Sequence, residues 1–170
     1  LSTGLLIEGF IVERYGDGIS VGGATSESGY NDASEAAITG GWTIQNVTVR
    51  DNAEDGIDIS NTASAWTLVR VTAIRNVDDG IEVGRFGGTG AWTIRESNAS
   101  LNDNIGIYVG QSTASWQILD SITNDNRGLA GVWVTNDDNA WVIGRHTALR
   151  NSGSGIDVAG SFSGDWTIHN

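Results

Sequence analysis

The chain has 170 residues, a formal net charge of −12, no cysteine and no lysine, so arginine supplies all nine basic residues. The absence of cysteine excludes disulfides, thiolate metal sites and cysteine nucleophiles. The acidic balance argues against nucleic-acid binding, which depends on basic patches. The sequence contains no run of 18 apolar residues, so membrane insertion is not expected.

Length and charge also bear on domain organisation and setting. A chain of this length buries one core, so we expect a single domain over residues 1–170. The sequence opens at Leu1 inside an apolar pattern, which suggests a fragment or processed form of a larger protein or assembly. Strong like-charge repulsion is tolerated where salt screens it, so the composition favours a salt-rich setting. Compositional drift in a GC-rich genome is the alternative explanation.

The first predicted elements lie in the phrase LLIEGFIVERYGDGISV, Leu5 to Val21, where short apolar runs alternate with polar residues. An inserted loop then covers residues 22–37. After it, a repeat of 24 to 26 residues is marked by tryptophan, and an asparagine lies ten residues after each of the first five tryptophans. The tryptophans are Trp42, Trp66, Trp92, Trp116, Trp141 and Trp166, and the asparagines are Asn52, Asn76, Asn102, Asn126 and Asn151.

Each repeat contains three short runs in which apolar and polar residues alternate, which is the period of a β-strand. Turns rich in asparagine and glycine separate these runs. Three short strands in about 25 residues predict one coil of a parallel β-helix, in which equivalent residues of successive coils stack about 4.8 Å apart. In the repeat that begins at Trp66, the inward residues are Trp66, Leu68, Val71, Ala73, Ile81 and Val83.

The recurring phrase N…GI.V…(W)TI.N…..N resembles the parallel β-helix repeat of the right-handed, pectate-lyase-like superfamily. The resemblance covers the chain except for the insertion, and it implies an all-β, right-handed parallel β-helix of about six coils. Proteins on this scaffold include lyases, hydrolases, epimerases, tailspikes, adhesins and copper-maturation proteins. The resemblance therefore specifies the fold well and the function poorly.

Stacked coils predict columns of structural residues. The asparagines are expected to form a ladder of side-chain hydrogen bonds, and the tryptophans a stack of rings that continues to Leu5. Charged residues four and nine positions after the tryptophans alternate in sign between neighbouring coils, which favours structural ion pairs over catalytic roles. These residues are Arg70, Glu96, Asp120 and Arg145 in one column, and Arg14, Asp51, Arg75, Asp125 and Arg150 in the other.

The phrases EDGIDI and VDDGIEV concentrate six carboxylates on the second and third coils. Asp58 and Glu82 each lie between two inward apolar residues, so we expect them to point outward, one coil apart. Asp55 and Asp79 form a second pair in the preceding turn. Acids this close raise one another's pKa or attract a cation.

Three interpretations of these four acids remain open. Asp55, Asp58, Asp79 and Glu82 could act as acid, base or nucleophile on a glycosidic bond. The same four could ligate Ca²⁺, which pectate-lyase-like enzymes use to hold acidic sugars. Alternatively, they form a solvated acidic surface in which aspartate before glycine favours the turn.

Aromatic residues continue the outward column of Asp58 and Glu82. The register places Tyr108 next and Trp133 after it, and exposed rings beside acids suit sugar recognition. The insertion at residues 22–37 and the segment from Gly84 to Ala91 leave the same edge and could wall a groove. The acidic loop at residues 136–139 is a further candidate for cation binding.

The sequence supports one function hypothesis and two alternatives. The first is an extracellular or cell-surface module, structural or adhesive, that contacts polysaccharide along Asp58, Glu82, Tyr108 and Trp133 and requires no cofactor. The second is part of a polysaccharide lyase, glycoside hydrolase or epimerase that acts through the acids of the second and third coils, with Ca²⁺ as the candidate cofactor. The third is a subunit of an end-to-end fibre, because flanking domains or further copies are expected to cover both open ends.

Two absences weigh against the enzyme alternative. The resemblance implies that a lyase of this scaffold needs a strong base, and lysine is missing while most arginines fall in the predicted ion-pair columns. Epimerase sites on the scaffold combine Asp, His and Tyr. The two histidines, however, are expected to be structural, with His146 at an inward position and His169 near the last residue.

Overall fold

The computed structural model describes residues 4–22, 41–60, 62, 64–84, 90–110, 112, 114–135, 139–160 and 163–170. These residues form β-strands and turns without any helix, and the strands pair in parallel into three sheets. The result is a parallel β-solenoid of about five turns with ~25 residues per turn. The predicted fold class and repeat length are confirmed. In the described ranges no helix is long and apolar enough to span a membrane.

The first four turns of the solenoid each contribute one strand to each sheet in the order A, B, C, and the described residues of the later turns contribute strands to sheets A and C. Sheet A contains β1 (Leu5–Glu8), β4 (Trp42–Gln45), β7 (Trp66–Val69), β10 (Trp92–Arg95), β13 (Trp116–Leu119), β15 (Trp141–Gly144) and β17 (Trp166–His169). Sheet B contains β2 (Ile11–Glu13), β5 (Thr48–Arg50), β8 (Thr72–Ile74) and β11 (Asn98–Ser100). Sheet C contains β3 (Ile19–Val21), β6 (Ile57–Ile59), β9 (Ile81–Val83), β12 (Ile107–Gly110), β14 (Ala130–Thr135) and β16 (Ser154–Ala159).

The tryptophan stack predicted from the sequence lines the inner face of sheet A. Successive ring centroids lie 4.7–5.2 Å apart with interplanar angles of 2–11°. Leu5 pairs with Trp42 at the start of the column, as the register predicted. The rings from Trp42 to Trp141 are buried, whereas Trp166 is 49% exposed. Because inward isoleucines and valines of sheets B and C close the other sides, the coils share one continuous apolar core.

The asparagine ladder is also confirmed, in the turn between sheets B and C. The side-chain amide of Asn52 donates to Oδ1 of Asn76 at 3.0 Å, and the same bond joins each following pair through to Asn151. Each Oδ1 also accepts the backbone N–H of the preceding asparagine. These bonds satisfy buried polar groups inside the turn and fix the register of successive coils.

The two charge columns coincide with left-handed turns, which the sequence analysis did not anticipate. Each column lies at a chain reversal, one between sheets A and B and the other after sheet B. Such a conformation costs about 1–2 kcal/mol per non-glycine residue, so the stacked coils must hold it in place. Among the residues that the structure describes, the eleven non-glycine residues with positive φ are Arg14, Asn46, Asp51, Arg70, Arg75, Glu96, Leu101, Asp120, Asp125, Arg145 and Arg150.

Ion pairs of the predicted kind connect neighbouring coils within these columns. Arg75 contacts Asp51 at 2.8 Å, and Arg150 contacts Asp125 at 2.6 Å. Hydrogen bonds and Coulomb attraction from these arginines hold the pKa of both aspartates below its usual value. In the first column, Arg70 pairs with Glu96, and Arg145 pairs with Asp120. The predicted ion pairs between neighbouring coils are therefore confirmed for these four pairs.

Sheet B changes character along the solenoid. Inward valine and alanine in the early coils give way to Ser97, Ser121, Thr123 and His146, and beyond β11 only isolated bridges continue the sheet in the described residues. His146 accepts or donates a hydrogen bond through Nε2 to the Thr123 hydroxyl at 2.8 Å. Burial lowers the pKa of His146 to about 4. This inward, neutral histidine fits the structural role predicted for it.

Candidate functional site

The outer face of sheet C carries a single column of acidic and aromatic side chains. Strand pairing aligns Asp58 with Glu82, Glu82 with Tyr108, Tyr108 with Trp133, and Trp133 with Asp157. All five side chains are partly exposed, while their neighbours along each strand point into the core. We call these five residues the acid–aromatic column. The predicted alignment of the first four is correct.

The aromatic pair of this column consists of two neighbouring rings in contact on the outer face of sheet C. Ring centroids of Tyr108 and Trp133 are 5.3 Å apart, and their planes are tilted by 38°. The Tyr108 hydroxyl lies 3.3 Å from the Thr135 hydroxyl, within hydrogen-bonding distance. A Cβ on Gly110 would lie 2.6 Å from the Tyr108 hydroxyl oxygen, so this glycine gives the ring room to lie against the strand. The two rings therefore pack against each other and remain partly exposed on the outer face of sheet C.

Asp55 and Asp79 occupy a different environment from Asp58, because they are buried in the turn that precedes sheet C. They are 8% and 4% exposed. Oδ1 of Asp55 accepts the backbone N–H of Asp79 at 2.8 Å, and Oδ1 of Asp79 accepts the N–H of Ile105 at 2.9 Å. One coil earlier, Asp17 accepts the N–H of Asp55 at 3.3 Å. We call Asp17, Asp55 and Asp79 the aspartate ladder.

One acid of the column reaches the buried ladder. Carboxylate oxygens of Asp55, Asp79 and Glu82 all lie within 4.8 Å of one another. We call these three residues the carboxylate triad. Asp58 does not belong to this group, although the sequence analysis treated all four acids as one candidate site. The structure thus brings three of the four together and leaves Asp58 beside Ser20 and Asp17.

Burial dominates the electrostatics of these acids. It raises the pKa of Asp55 to about 8, with further contributions from the Glu82 charge. Burial also raises the pKa of Asp79 to about 8, with the Asp55 and Asp78 charges adding to the effect. The pKa of Glu82 rises to about 7 because of burial and the charges of Asp79, Asp58 and Asp78.

Asp58 is perturbed less than the carboxylate triad. Burial and the Asp17 charge raise its pKa to about 6, while a hydrogen bond from Ser20 opposes the shift. None of the ion pairs among the described residues involves Asp58, Asp157 or a member of the triad. Repulsion between the acids of the site is therefore relieved when some of them are protonated or when a cationic group binds.

The triad offers two kinds of chemistry. Carboxylate oxygens of Asp55 and Glu82 lie within 4.8 Å of each other, and burial together with the Glu82 charge raises the pKa of Asp55 to about 8, which favours a proton on one of the pair. A protonated acid beside an ionised one is the arrangement that acid–base catalysis uses. Three converging carboxylates also suit a hard cation such as Ca²⁺, which takes oxygen ligands. Buried Asp55 and Asp79 do not fit the alternative of a solvated acidic surface.

Two residues of the site were missed by the sequence analysis. Asp157 extends the acid–aromatic column beyond Trp133, and Asp17 begins the aspartate ladder. The signal for Asp157 was present, because it lies sixteen residues after Trp141, the spacing that separates Asp58 from Trp42 and Glu82 from Trp66. Asp17 occurs in the phrase GDGIS, which repeats the acid–glycine–isoleucine pattern of the next two coils.

The candidate loops around the site fall largely outside the described residues. This applies to the insertion at residues 22–37 beyond Gly22, to 85–89, and to 136–138 of the acidic loop. A concave surface of about 500 Å³ runs along the outside of sheet A. Its lining includes the small residues Ala91, Ser115 and Ala140. Sheet A therefore offers a groove that competes with sheet C as a binding surface.

Comparison of the chain with protein-family models, curated proteins and solved structures gives no match. The fold is therefore established by the strand pairing, and any function must be argued from the site.

Proposed function

We propose that this β-solenoid is a carbohydrate-binding module that holds a polysaccharide along the acid–aromatic column of sheet C. The observation that carries the proposal is the pair Tyr108 and Trp133, two partly exposed aromatic residues that lie in register with Glu82 on one side and Asp157 on the other. Pyranose rings have apolar faces that pack on aromatic rings and hydroxyl groups that donate to carboxylates.

The scaffold favours binding of an extended chain. Parallel strands space the column residues at about 4.8 Å, so successive side chains form a straight row along the solenoid axis. Each column residue is anchored between two core residues of its strand, as Glu82 is between Ile81 and Val83. A rigid row of this kind loses little conformational entropy when a ligand binds.

We extend the proposal to the cellular location of the module and to its superfamily. We place the module outside the cell or on its surface, in a salt-rich environment that screens its net charge of −12. We assign it to the right-handed, pectate-lyase-like superfamily on the strength of its repeat phrase. Binding requires no cofactor, and Ca²⁺ is the cation that would suit the carboxylate triad.

A binding screen with neutral and acidic polysaccharides, each with and without Ca²⁺, tests the proposal. We expect at least one sugar to bind, and Trp133→Ala to weaken that binding about tenfold or more. Tyr15→Ala is the matched control, since Tyr15 is 65% exposed in the turn after sheet B and lies off the column. Binding that survives Trp133→Ala, or no binding to any sugar, would refute the proposal.

A second candidate function is cleavage or modification of the bound sugar. It is favoured by the proximity of Asp55 and Glu82, whose pKa values burial raises to about 8 and about 7. Retaining glycosidases place two carboxyl groups about 5–5.5 Å apart, and the triad oxygens lie within 4.8 Å. If the chain is an enzyme, Asp55→Asn, which alters the triad outside the binding column, should abolish turnover while leaving sugar binding within about threefold of wild type. Assays for reducing ends and for unsaturated products distinguish hydrolysis from elimination.

A further inference from the structure

The charge around the aromatic pair indicates which class of sugar the face accepts. We propose that the acid–aromatic column selects a cationic polysaccharide, a polymer of amino sugars whose nitrogen is unacetylated and protonated. This inference rests on the proposed function and adds the chemistry of the ligand.

Sheet C contains no basic residue in any of its six strands. The described arginines instead lie in sheets A and B and in the turns that flank sheet B. All of them except Arg14 take part in an ion pair in those regions. A ligand on the outer face of sheet C therefore meets carboxylates without competing arginine partners from that sheet.

The acids bracket the rings on both sides along the column. Glu82 pairs in register with Tyr108 on one side, and Asp157 pairs with Trp133 on the other. Asp58 extends the acidic side by one more coil. A sugar lying over the rings would thus place substituents near a carboxylate at each end. An ammonium group there gains an ionic hydrogen bond, whereas a uronic acid carboxylate would be repelled.

The rings distinguish an amino sugar from a basic peptide. The Tyr108 ring lies next to Gly110, with its hydroxyl held near Thr135 of the next strand. Partly exposed aromatic rings held in place suit pyranose rings, whose apolar faces pack on aromatics. A lysine-rich peptide would be held mainly by charge, and its binding would depend little on the presence of the Trp133 ring.

The test compares oligomers of equal length at one pH and one ionic strength. The probes are a β-linked glucosamine oligomer, its N-acetylated counterpart, an oligogalacturonate, and a lysine oligomer of matched charge. We expect the free-amine sugar to bind about tenfold tighter than the N-acetylated one. Oligogalacturonate should bind weakest, because its carboxylates carry the same negative charge as the acids of the column.

Variants separate the column from the general acidity of the chain. Asp157→Asn should weaken binding of the free-amine oligomer about two- to fivefold and leave the N-acetylated oligomer unchanged. Asp165→Asn is the matched control, because Asp165 is an exposed acid at the start of β17 on sheet A. Trp133→Ala should weaken both sugars about tenfold and the lysine oligomer by less than twofold.

Each contrary outcome has a distinct meaning. If the N-acetylated sugar binds as tightly as the free amine and requires Trp133, the cationic preference is refuted while carbohydrate binding stands. If free-amine binding survives Trp133→Ala and matches that of the lysine oligomer, the face is a general acidic surface and the inference is overturned. If no sugar binds, the inference and the proposed function fall together.

Discussion

The solenoid contains two kinds of stacked charged residues. Both repeat once per coil, but they differ in the sign of neighbouring charges, in burial and in the direction of their pKa shifts. In the left-handed turns beside sheet B, Arg75 lies over Asp51 and Arg150 over Asp125, with exposed side chains and lowered aspartate pKa values. In the turn before sheet C, Asp79 lies over Asp55, both are buried, and both have raised pKa values. The first arrangement stabilises the coil, and the second costs stability whenever the acids ionise.

This contrast indicates where function is to be sought. Alternating charge is what a repeat needs to stack, so it requires no ligand to explain it. Neighbouring buried acids cost folding stability when they ionise. Groups of this kind cluster at sites that bind ligands or catalyse reactions. The buried pair also lies next to Glu82, which joins it to the exposed aromatic column.

The largest expected effect is the pH dependence of stability in the wild-type chain. The triad acids have folded pKa values of about 7 to 8, above their unfolded values near 4, so the folded state holds protons that the unfolded state has lost. The free energy of unfolding should therefore fall by more than about 3 kcal/mol between pH 4 and pH 8, then level off. Denaturant titrations in chelator across this range measure it. A curve that rises over this range would contradict the account.

The exposed ion pairs should act in the opposite direction and at lower pH. The lowered pKa values of Asp51 and Asp125 give stability that is present above the unfolded value near 4 and lost as the pH falls through the folded values. Together, the two stacks predict maximal stability near pH 4 to 5 rather than at neutrality.

Substitution of Asp79 should separate its charge from its hydrogen bond. Asp79→Asn keeps an oxygen that can accept the N–H of Ile105 and removes the buried charge, so it should stabilise the chain by about 2 kcal/mol or more at pH 9. At pH 5 the same change should have little effect. Asp79→Ala leaves that N–H unsatisfied and should destabilise the chain by about 1–3 kcal/mol at pH 5. If Asp79→Asn changed the free energy of unfolding equally at pH 5 and pH 9, Asp79 would not carry a buried charge at pH 9.

A smaller gain is expected at Leu101, which sits at φ 63° in the column that otherwise carries arginine and aspartate. Asparagine adopts this conformation at less cost than leucine, so Leu101→Asn should stabilise the chain by about 0.5–1 kcal/mol. Leu129→Asn is the matched control, because Leu129 is 57% exposed and has no positive φ. Equal responses of the two variants in thermal unfolding would exclude backbone strain as the cause.

The smallest expected effect is the loss of one exposed ion pair. Arg75→Gln removes the partner of Asp51 and should reduce the free energy of unfolding by about 0.2–1 kcal/mol at low salt. The difference should vanish in high salt, because both side chains are exposed and screening is effective. A loss that persists at high salt would show that Arg75 acts through packing rather than charge.

Much of this architecture could be predicted from the sequence because repetition fixes register. Trp42 and Trp66 define the coil length, and counting from them places Asp58 opposite Glu82 and Tyr108 opposite Trp133. Strand alternation then decides which side chains point outward. The same arithmetic would have found Asp157.

The features that could not be predicted from the sequence pattern all lie in the turns between strands. Alternation does not say where a turn side chain points, so the burial of Asp55 and Asp79 could not be deduced from the phrases that contain them. The left-handed turns were hidden for a related reason. Glycine or asparagine would have marked them, but apart from Gly9 and Asn46 these columns carry charged residues and Leu101.

A crystal structure of the chain in complex with an oligosaccharide tests the central claim most directly. The account predicts sugar rings over the faces of Tyr108 and Trp133 on sheet C, with polar substituents within hydrogen-bonding distance of Glu82 or Asp157. Sugar seated instead in the groove of sheet A, over Ala91, Ser115 and Ala140, would contradict it.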